Sequence, residues 1–239
     1  MISKLWQKPS IDWQRKFQAR LEQAQDERLQ SFYQQALPHP ETPLNEITFL
    51  ALDFETTGLD AKSDGIITIG AVPFNLNRIF LSQAKHWIVR PKQQLEEESV
   101  IIHGITHNDI LDAPDLSEII EDVLNTLSGH VMVVHYRKIE REFLDRALRS
   151  RLGEGIEFPV LDTLEIEAEL QQRLMGGIWQ RLQGKKPASV RLGQSRKRYG
   201  LPSYTPHHAL TDAIATAELL QAQIAHHFEP NAPIRNFWL

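Results

Sequence analysis

"EITFLALDFETTGL", residues 46–59, is an apolar run rich in β-formers that closes on carboxylates, which reads as a strand with acids at its end. Side chains two apart on a strand point to the same face, so Asp53 and Glu55 converge on one spot. Two acids closing an apolar strand repel unless a cation or solvent intervenes. Acid-x-acid at a strand end is also how an ordinary turn begins, so the pair alone leaves both readings open. Outward from it, Asp64-Gly65 marks a turn. "IITIGAVPF" (66–74) and "RIFLSQAKHWIV" (78–89) then read as two strands paired antiparallel around Asn75-Leu76-Asn77.

Helical stretches are expected near Gln93–Ser99 and over Asp115–Leu127, followed by a short buried strand "HVMVVH" (130–135) and a helix over Ile139–Arg149. A further strand, "FPVLD" (158–162), precedes a helix from Thr163 to about Arg173. Met175–Ala188 holds Gly176, Gly177, Gly184 and Pro187 and reads as a loop. Helical pieces over Val190–Tyr199 and a long helix ending near His226 complete the pattern. A strand meander followed by strands alternating with helices predicts an α/β fold, a mixed sheet of about five strands flanked by helices.

Upstream, Ser10–Leu37 reads as one amphipathic helix, with Ser10 as N-cap and Ile11, Phe17, Leu21 and Leu29 on its apolar stripe. "PHPETP" (38–43) stops it. Residues 1–45 are thus expected to be an N-terminal helical extension and linker outside the core, 46–229 the main domain, and 230–239 a tail packed on that domain. The extension's stripe needs a partner, either the domain's own surface or a second subunit in a homodimer.

Composition limits the function. The 239 residues are 41% hydrophobic and 24% charged, as in an ordinary globular protein long enough to bury a substantial core. The absence of cysteine excludes disulfides, thiolate metal sites and a cysteine nucleophile. No apolar run approaches the roughly 20 residues that span a bilayer, and "MISKLWQKPSIDWQRK" has no apolar core of signal-peptide length. A cytoplasmic address with no membrane partner is the expectation. The net charge of -5 argues against a tight grip on long duplex. Residues 171–200, however, carry Arg173, Arg181, Lys185, Lys186, Arg191, Arg196, Lys197 and Arg198 and no acid. That run is either a solvated surface or a rim guiding a phosphate backbone.

Three further stretches bear on the opening pair. "DFETTGL" (53–59) resembles the first motif of the DnaQ-like (DEDDh) 3′→5′ exonuclease family, of the ribonuclease H-like superfamily. "HHALTDAIATAELL" (207–220) is similar to its third motif, a His followed five residues later by Asp. "VHYRKIEREFL" (134–144) stands in the place of the second, which usually reads His-Asn-x-x-Phe-Asp. "IHGIT" (102–106) and "LDTL" (161–164) lie between them as further landmarks, in order. The resemblance covers about Glu46 to Phe228.

That resemblance implies a ribonuclease H-like fold and hydrolysis of nucleic acid from a free 3′ end, DNA first, releasing nucleoside 5′-monophosphates. Alternatives within it are an exoribonuclease or short-oligonucleotide hydrolase, and an inactive nucleic-acid-binding module. It assigns Asp53, Glu55, Asp212 and Glu140 to two divalent cations, Mg2+ or Mn2+, with Asp53 bridging. Hard cations take oxygen ligands, and four carboxylates balance two such charges. Without a cation, carboxylates about 4 Å apart repel by roughly 1–4 kcal/mol per pair.

The resemblance also gives His207 the role of general base, a task suited to imidazole. It gives Thr56, Thr57 and Leu59 the terminal nucleotide, although turn and packing roles fit those residues as well. Helical periodicity alone would favour His208, four residues before Asp212. The conflict resolves if His207 sits on the incoming loop, leaving His208 to solvent or a substrate phosphate. The second motif departs from the family twice, with Glu140 for the usual Asp and Tyr136 for the usual Asn. His103 and Thr106 read as loop-stabilising. His86, His107, His130, His226 and the residues Trp6, Trp13, Trp87 and Trp179 read as packing or surface. Association with a polymerase is left open.

Overall fold

The computed structural model describes residues 11–92, 107–174 and 188–239. The "IHGIT" landmark with His103 and Thr106, the helix expected near Gln93–Ser99, Met175–Pro187, Trp6, Trp179, Arg181, Lys185 and Lys186 lie outside them.

The opening stretch forms strand β1 (Phe49–Thr56), buried along Phe49–Leu52. β2 (Ile66–Phe74) pairs with it antiparallel, and β3 (Lys85–Ile88) pairs antiparallel with β2. On the other side of β1 lie β4 (Val131–Val134) and then β5 (Val160–Asp162), both parallel. The order β3-β2-β1-β4-β5 is the expected mixed sheet of five strands. β1 is central because its apolar positions must be covered on both faces.

The helices fall largely where expected. They are α1 (Trp13–Gln23), α2 (Glu27–Gln34), α3 (His107–Leu111), α4 (Leu116–Leu127), α5 (Lys138–Leu152), α6 (Thr163–Leu174), α7 (Leu192–Arg198) and α8 (Ala209–His227). The start of α4 is set by a capping box, in which Asp115 accepts from Ser117 N and Glu118 accepts from Asp115 N at 2.8 Å. Among the described residues no helix is long and apolar enough to cross a membrane.

Three expectations change. The single helix over Ser10–Leu37 is two, the first capped by Asp12 and the second by Asp26. The break lies at Ala24-Gln25, where the N–H groups of Gln25 and Asp26 donate to the Glu154 carboxylate at 2.9–3.0 Å. Those donors are satisfied outside the helix, so the chain turns there. The strand over 78–89 shrinks to Lys85–Ile88, because Leu81–Gln83 coil into a 3-10 turn and Phe80 N returns to Pro73 O.

The third change concerns the N-terminal segment, which is not outside the core. Trp13, Phe17, Leu29, Phe32 and Tyr33 are each at most 5% exposed and belong to the main hydrophobic cluster. α1 packs on α2 and α2 on α4, so the stripe is covered by this chain's own surface and does not call for a second subunit. The Pro-rich linker is also tied down: Leu44 N, Asn45 N and Ile234 N bond to Ala232 O, Pro230 O and Thr42 O. The tail packs as expected, with Ile234, Phe237 and Trp238 buried and Leu239 N donating to Val160 O on β5.

Candidate active site

The carboxyl ends of β1 and β4 point the same way, because the two strands are parallel with Ala51 opposite Val133. Sites in such sheets form outside these ends. Asp53 and Glu55 stand there on one face of β1, as their spacing requires. In the ladder with β2, Asp53 faces Gly70. A Cβ on Gly70 would come within 2.3 Å of the Ala209 and Leu210 backbone. The missing side chain therefore lets the first turn of α8 lie directly on the sheet and brings Asp212 to the pair. Sequence reading missed Gly70. A glycine inside a strand pattern was the available signal, since it marks a close backbone approach.

One carboxylate oxygen from each of Asp53, Glu55 and Asp212 falls within 4.8 Å of the others. This spacing fits a shared cation, and the donors are all hard oxygens. Glu140 is outside that tight trio but belongs to the same charge cluster. It lies in the first turn of α5, 2% exposed, with Oε2 buried and without a hydrogen-bond partner among the described residues. A buried carboxylate oxygen with no donor is costly unless a ligand supplies the missing charge. The nearby acids are otherwise engaged or exposed. Asp145 pairs with Arg149 and accepts from Ile156 N, and Glu142 faces solvent.

The electrostatics express the same crowding. Burial, then the charges of Glu140, Asp212 and Glu55, push the Asp53 carboxyl well above its usual range. Burial also pushes Glu140 well up, against its own backbone N–H and with the Asp162 charge adding to the shift. Asp212 is raised by burial, partly relieved by the His207 N–H and raised further by Glu55. Three acids resisting ionisation at one point reflect burial and the close approach of like charges.

His207 sits on the incoming loop, outside α8, with φ of 70°. Its backbone N–H donates to Asp212 Oδ2 at 2.9 Å, so the His207 backbone and the Asp212 carboxylate are tied together without sharing a helical face. His208 is the N-cap: its ring accepts from Thr211 N at 3.3 Å and stacks on His86, centroids 4.7 Å apart.

Thr56 Oγ1 donates to Gly58 O at 2.6 Å, while Thr57 Oγ1 bonds Asp64 and accepts from Gly65 N. These bonds shape the turn that presents Leu59, which is 82% exposed and hence no core residue. In the second motif His135 is structural. Its ring bonds Thr163 Oγ1 and Val190 O, and burial lowers its pKa to about 4.

Asp162, a landmark without a role in the sequence, is a clamp. It is 2% exposed and accepts from the N–H groups of Tyr136, Arg137, Leu164 and Glu165 at 2.9–3.3 Å. It thereby ties the turn before α5 to the start of α6, and so fixes where Glu140 begins its helix. In the basic run, Arg196 is buried against Glu218 and Arg198 pairs with the buried Glu167. These two cations hold the fold together and are not on a phosphate-guiding rim.

The chain is 29% identical over 179 residues to a DNA polymerase III PolC-type protein of Thermotoga maritima. The match covers 75% of this chain and 12% of that one, so this chain spans about an eighth of that relative's length. It is 29% identical over 185 residues to the DNA polymerase III subunit epsilon of Treponema pallidum, covering 77% and 80% of the two chains. Among solved structures, the nuclease domain of 3′hExo, a DEDDh family member bound to rAMP, superposes with a TM-score of 0.59 at 15% identity. That match covers 80% of this chain and 96% of the other, a likeness of fold. A family model described as "Exonuclease" matches residues 50–220. With the acidic trio, the DnaQ-like landmarks and the sheet order all inside that span, the chain belongs to the exonuclease family.

Proposed function

We propose that this chain is a 3′→5′ exonuclease that removes nucleotides singly from DNA ends as nucleoside 5′-monophosphates. One observation carries the reading: the carboxylate trio of Asp53, Glu55 and Asp212, with the unpartnered Glu140 Oε2 buried beside Asp53. Asp53, Glu55, Asp212 and Glu140 would hold two divalent cations, Mg2+ or Mn2+, whose chemistry is to acidify a water and neutralise phosphate charge.

The remaining roles belong to the protein. An imidazole nitrogen of His207 takes the proton from the attacking water, and the bond from the His207 backbone N–H to Asp212 holds that stretch of chain against the cluster. Leu59, projecting from the turn braced by Thr56 and Thr57, meets the terminal base and sugar. His208 sets the helix that carries Asp212. Residues 46–229 carry the chemistry, and residues 1–45 and 230–239 stabilise them.

The DNA assignment is supported by relatives named as components of DNA polymerase III. So are a cytoplasmic place of action and association with a polymerase. The protein's partner in the reaction is a strand with a free 3′ end.

The test is to incubate 5′-labelled single-stranded DNA, RNA and duplex with the protein and Mn2+. The reading predicts a ladder of shortening DNA that Asp53→Ala abolishes. Full activity of that variant would remove the proposal.

A further inference from the structure

Tyr136 and His207 are the two residues other than glycine with positive φ among the described residues, at 91° and 70°. Both lie past the carboxyl edge of the sheet, His207 bonded to Asp212 and Tyr136 between the end of β4 and the helix that carries Glu140. Non-glycine residues in this region carry backbone strain, which persists where the surroundings enforce it and gathers at functional sites. His207 has a use there already; Tyr136 has none assigned.

The surroundings enforce the Tyr136 conformation through Asp162, whose two oxygens accept from Tyr136 N at 3.1 Å and Arg137 N at 2.9 Å. The backbone is clamped, yet the side chain is not. Tyr136 is 45% exposed, and its ring makes no aromatic, cation or hydrogen-bond contact with the described residues. A large aromatic is a poor choice for a left-handed position, where Asn or Gly costs least.

The ring borders an open cleft of about 410 Å3 together with Arg137, Lys138, Arg141, Glu142 and Asp162. Arg137 is held by Asp162 and Glu165, and Arg141 by the carbonyls of Phe158 and Leu239. Lys138 is exposed and has no carboxylate partner among the described residues. A free aromatic face beside a free ammonium, on the turn that leads from β4 into the helix carrying Glu140, matches a nucleotide: stacking for the base and a cation for its phosphate.

We propose that Tyr136 is a stacking platform for a base of the bound strand upstream of the terminal nucleotide, with Lys138 meeting the adjoining phosphate. This deepens the exonuclease reading and rests on it. Stacking would be tolerant of base identity, because every base offers a π-face. It would favour single-stranded ends, where the base is free to leave its neighbours.

The test compares wild type with Tyr136→Phe, Tyr136→Asn and Tyr136→Gly in Mn2+. Each is assayed on an oligothymidylate and on the p-nitrophenyl ester of thymidine 5′-phosphate, which is too short to reach Tyr136. The readout is the ratio of kcat/KM on the oligonucleotide to that on the ester. Asn and Gly should lower this ratio about tenfold, the scale of one lost base stack, while Phe keeps it. Thermal midpoints of Asn and Gly should equal or exceed wild type, since both relieve the backbone, so loss of fold cannot imitate the result. An unchanged ratio in Asn and Gly overturns the stacking role, and so does a Phe variant that falls with them. A wild type inert on both substrates overturns the exonuclease reading itself.

Discussion

Phe32→Ala tests whether the N-terminal helices are part of the domain's core. Phe32 is 1% exposed and sits between the Phe17 and Tyr33 rings, at centroid distances of 5.6 and 5.2 Å with interplanar angles of 44° and 75°. Truncating a buried Phe to Ala removes its transfer free energy and leaves a cavity, at a cost of about 3–5 kcal/mol. That is a large part of the roughly 5–15 kcal/mol that separates folded from unfolded states. In a chain of this size each kcal/mol moves the midpoint by about 2–4 °C, so the expected fall is roughly 6–20 °C.

The assay is a thermal melt followed by circular dichroism, with cleavage measured well below the midpoint. The rate per folded molecule should stay at the wild-type value, because Phe32 is remote in the fold from the carboxyl edge of β1. A midpoint lowered by less than about 2 °C would refute the reasoning and restore the N-terminal helices to a loosely attached extension. A chain shortened to begin at Thr42, with its core face uncovered, should then also be stable, whereas the packing predicts that it aggregates.

Three other outcomes follow from the site and its supports. His207→Ala should lower the cleavage rate by about 10²-fold or more, the usual scale for a lost general base, with Mn2+ binding retained. His208→Ala should act chiefly through a weaker α8 N-terminus, and the reverse pattern would exchange their roles. Glu140→Ala should lose most activity and Glu140→Asp keep it; an Ala variant equal to wild type would leave a three-carboxylate site. Asp115 feels burial, which favours its neutral form, but the Arg151 fork at 2.7–2.8 Å and the Ser117 bonds outweigh it and hold the carboxyl below its usual range. A depressed pKa stabilises above the ordinary carboxylate value and is lost as pH falls through the folded one. Asp115→Asn should therefore lower the melting midpoint at neutral pH, with the gap to wild type closing below about pH 4. A gap independent of pH would refute it.

Much of this fold is legible because its causes are local. "EITFLALDFETTGL" is apolar at every position that β1 buries except Glu55, Asp115 and Glu118 write the start of α4, and the period-two rule alone sets Asp53 beside Glu55. What could not be read depends on contacts distant in sequence. The α1–α2 break is held by Glu154, far downstream, and its one local sign, the N-cap Asp26, reads equally as a polar residue on a continuous helix. The closeness of Asp212 to Asp53 depends on Gly70, whose meaning appears only when the α8 backbone is laid across it. The angle argument against His207 assumed a regular helix, whereas the residue stands before the helix with φ of 70°. The strain at Tyr136 has no sequence signature, since its cause is the Asp162 clamp on the next strand.

The central claim is that four carboxylates at the ends of β1, α5 and α8 form one centre for two cations. Calorimetric titration of the apoprotein with Mn2+, run beside cleavage of labelled DNA at each addition, tests it most directly. The account predicts two Mn2+ per chain, cleavage that rises only as the second binds, and loss of both signals in Asp53→Ala. Cleavage that persists in excess EDTA, or that reaches full rate with no Mn2+ bound, would contradict it.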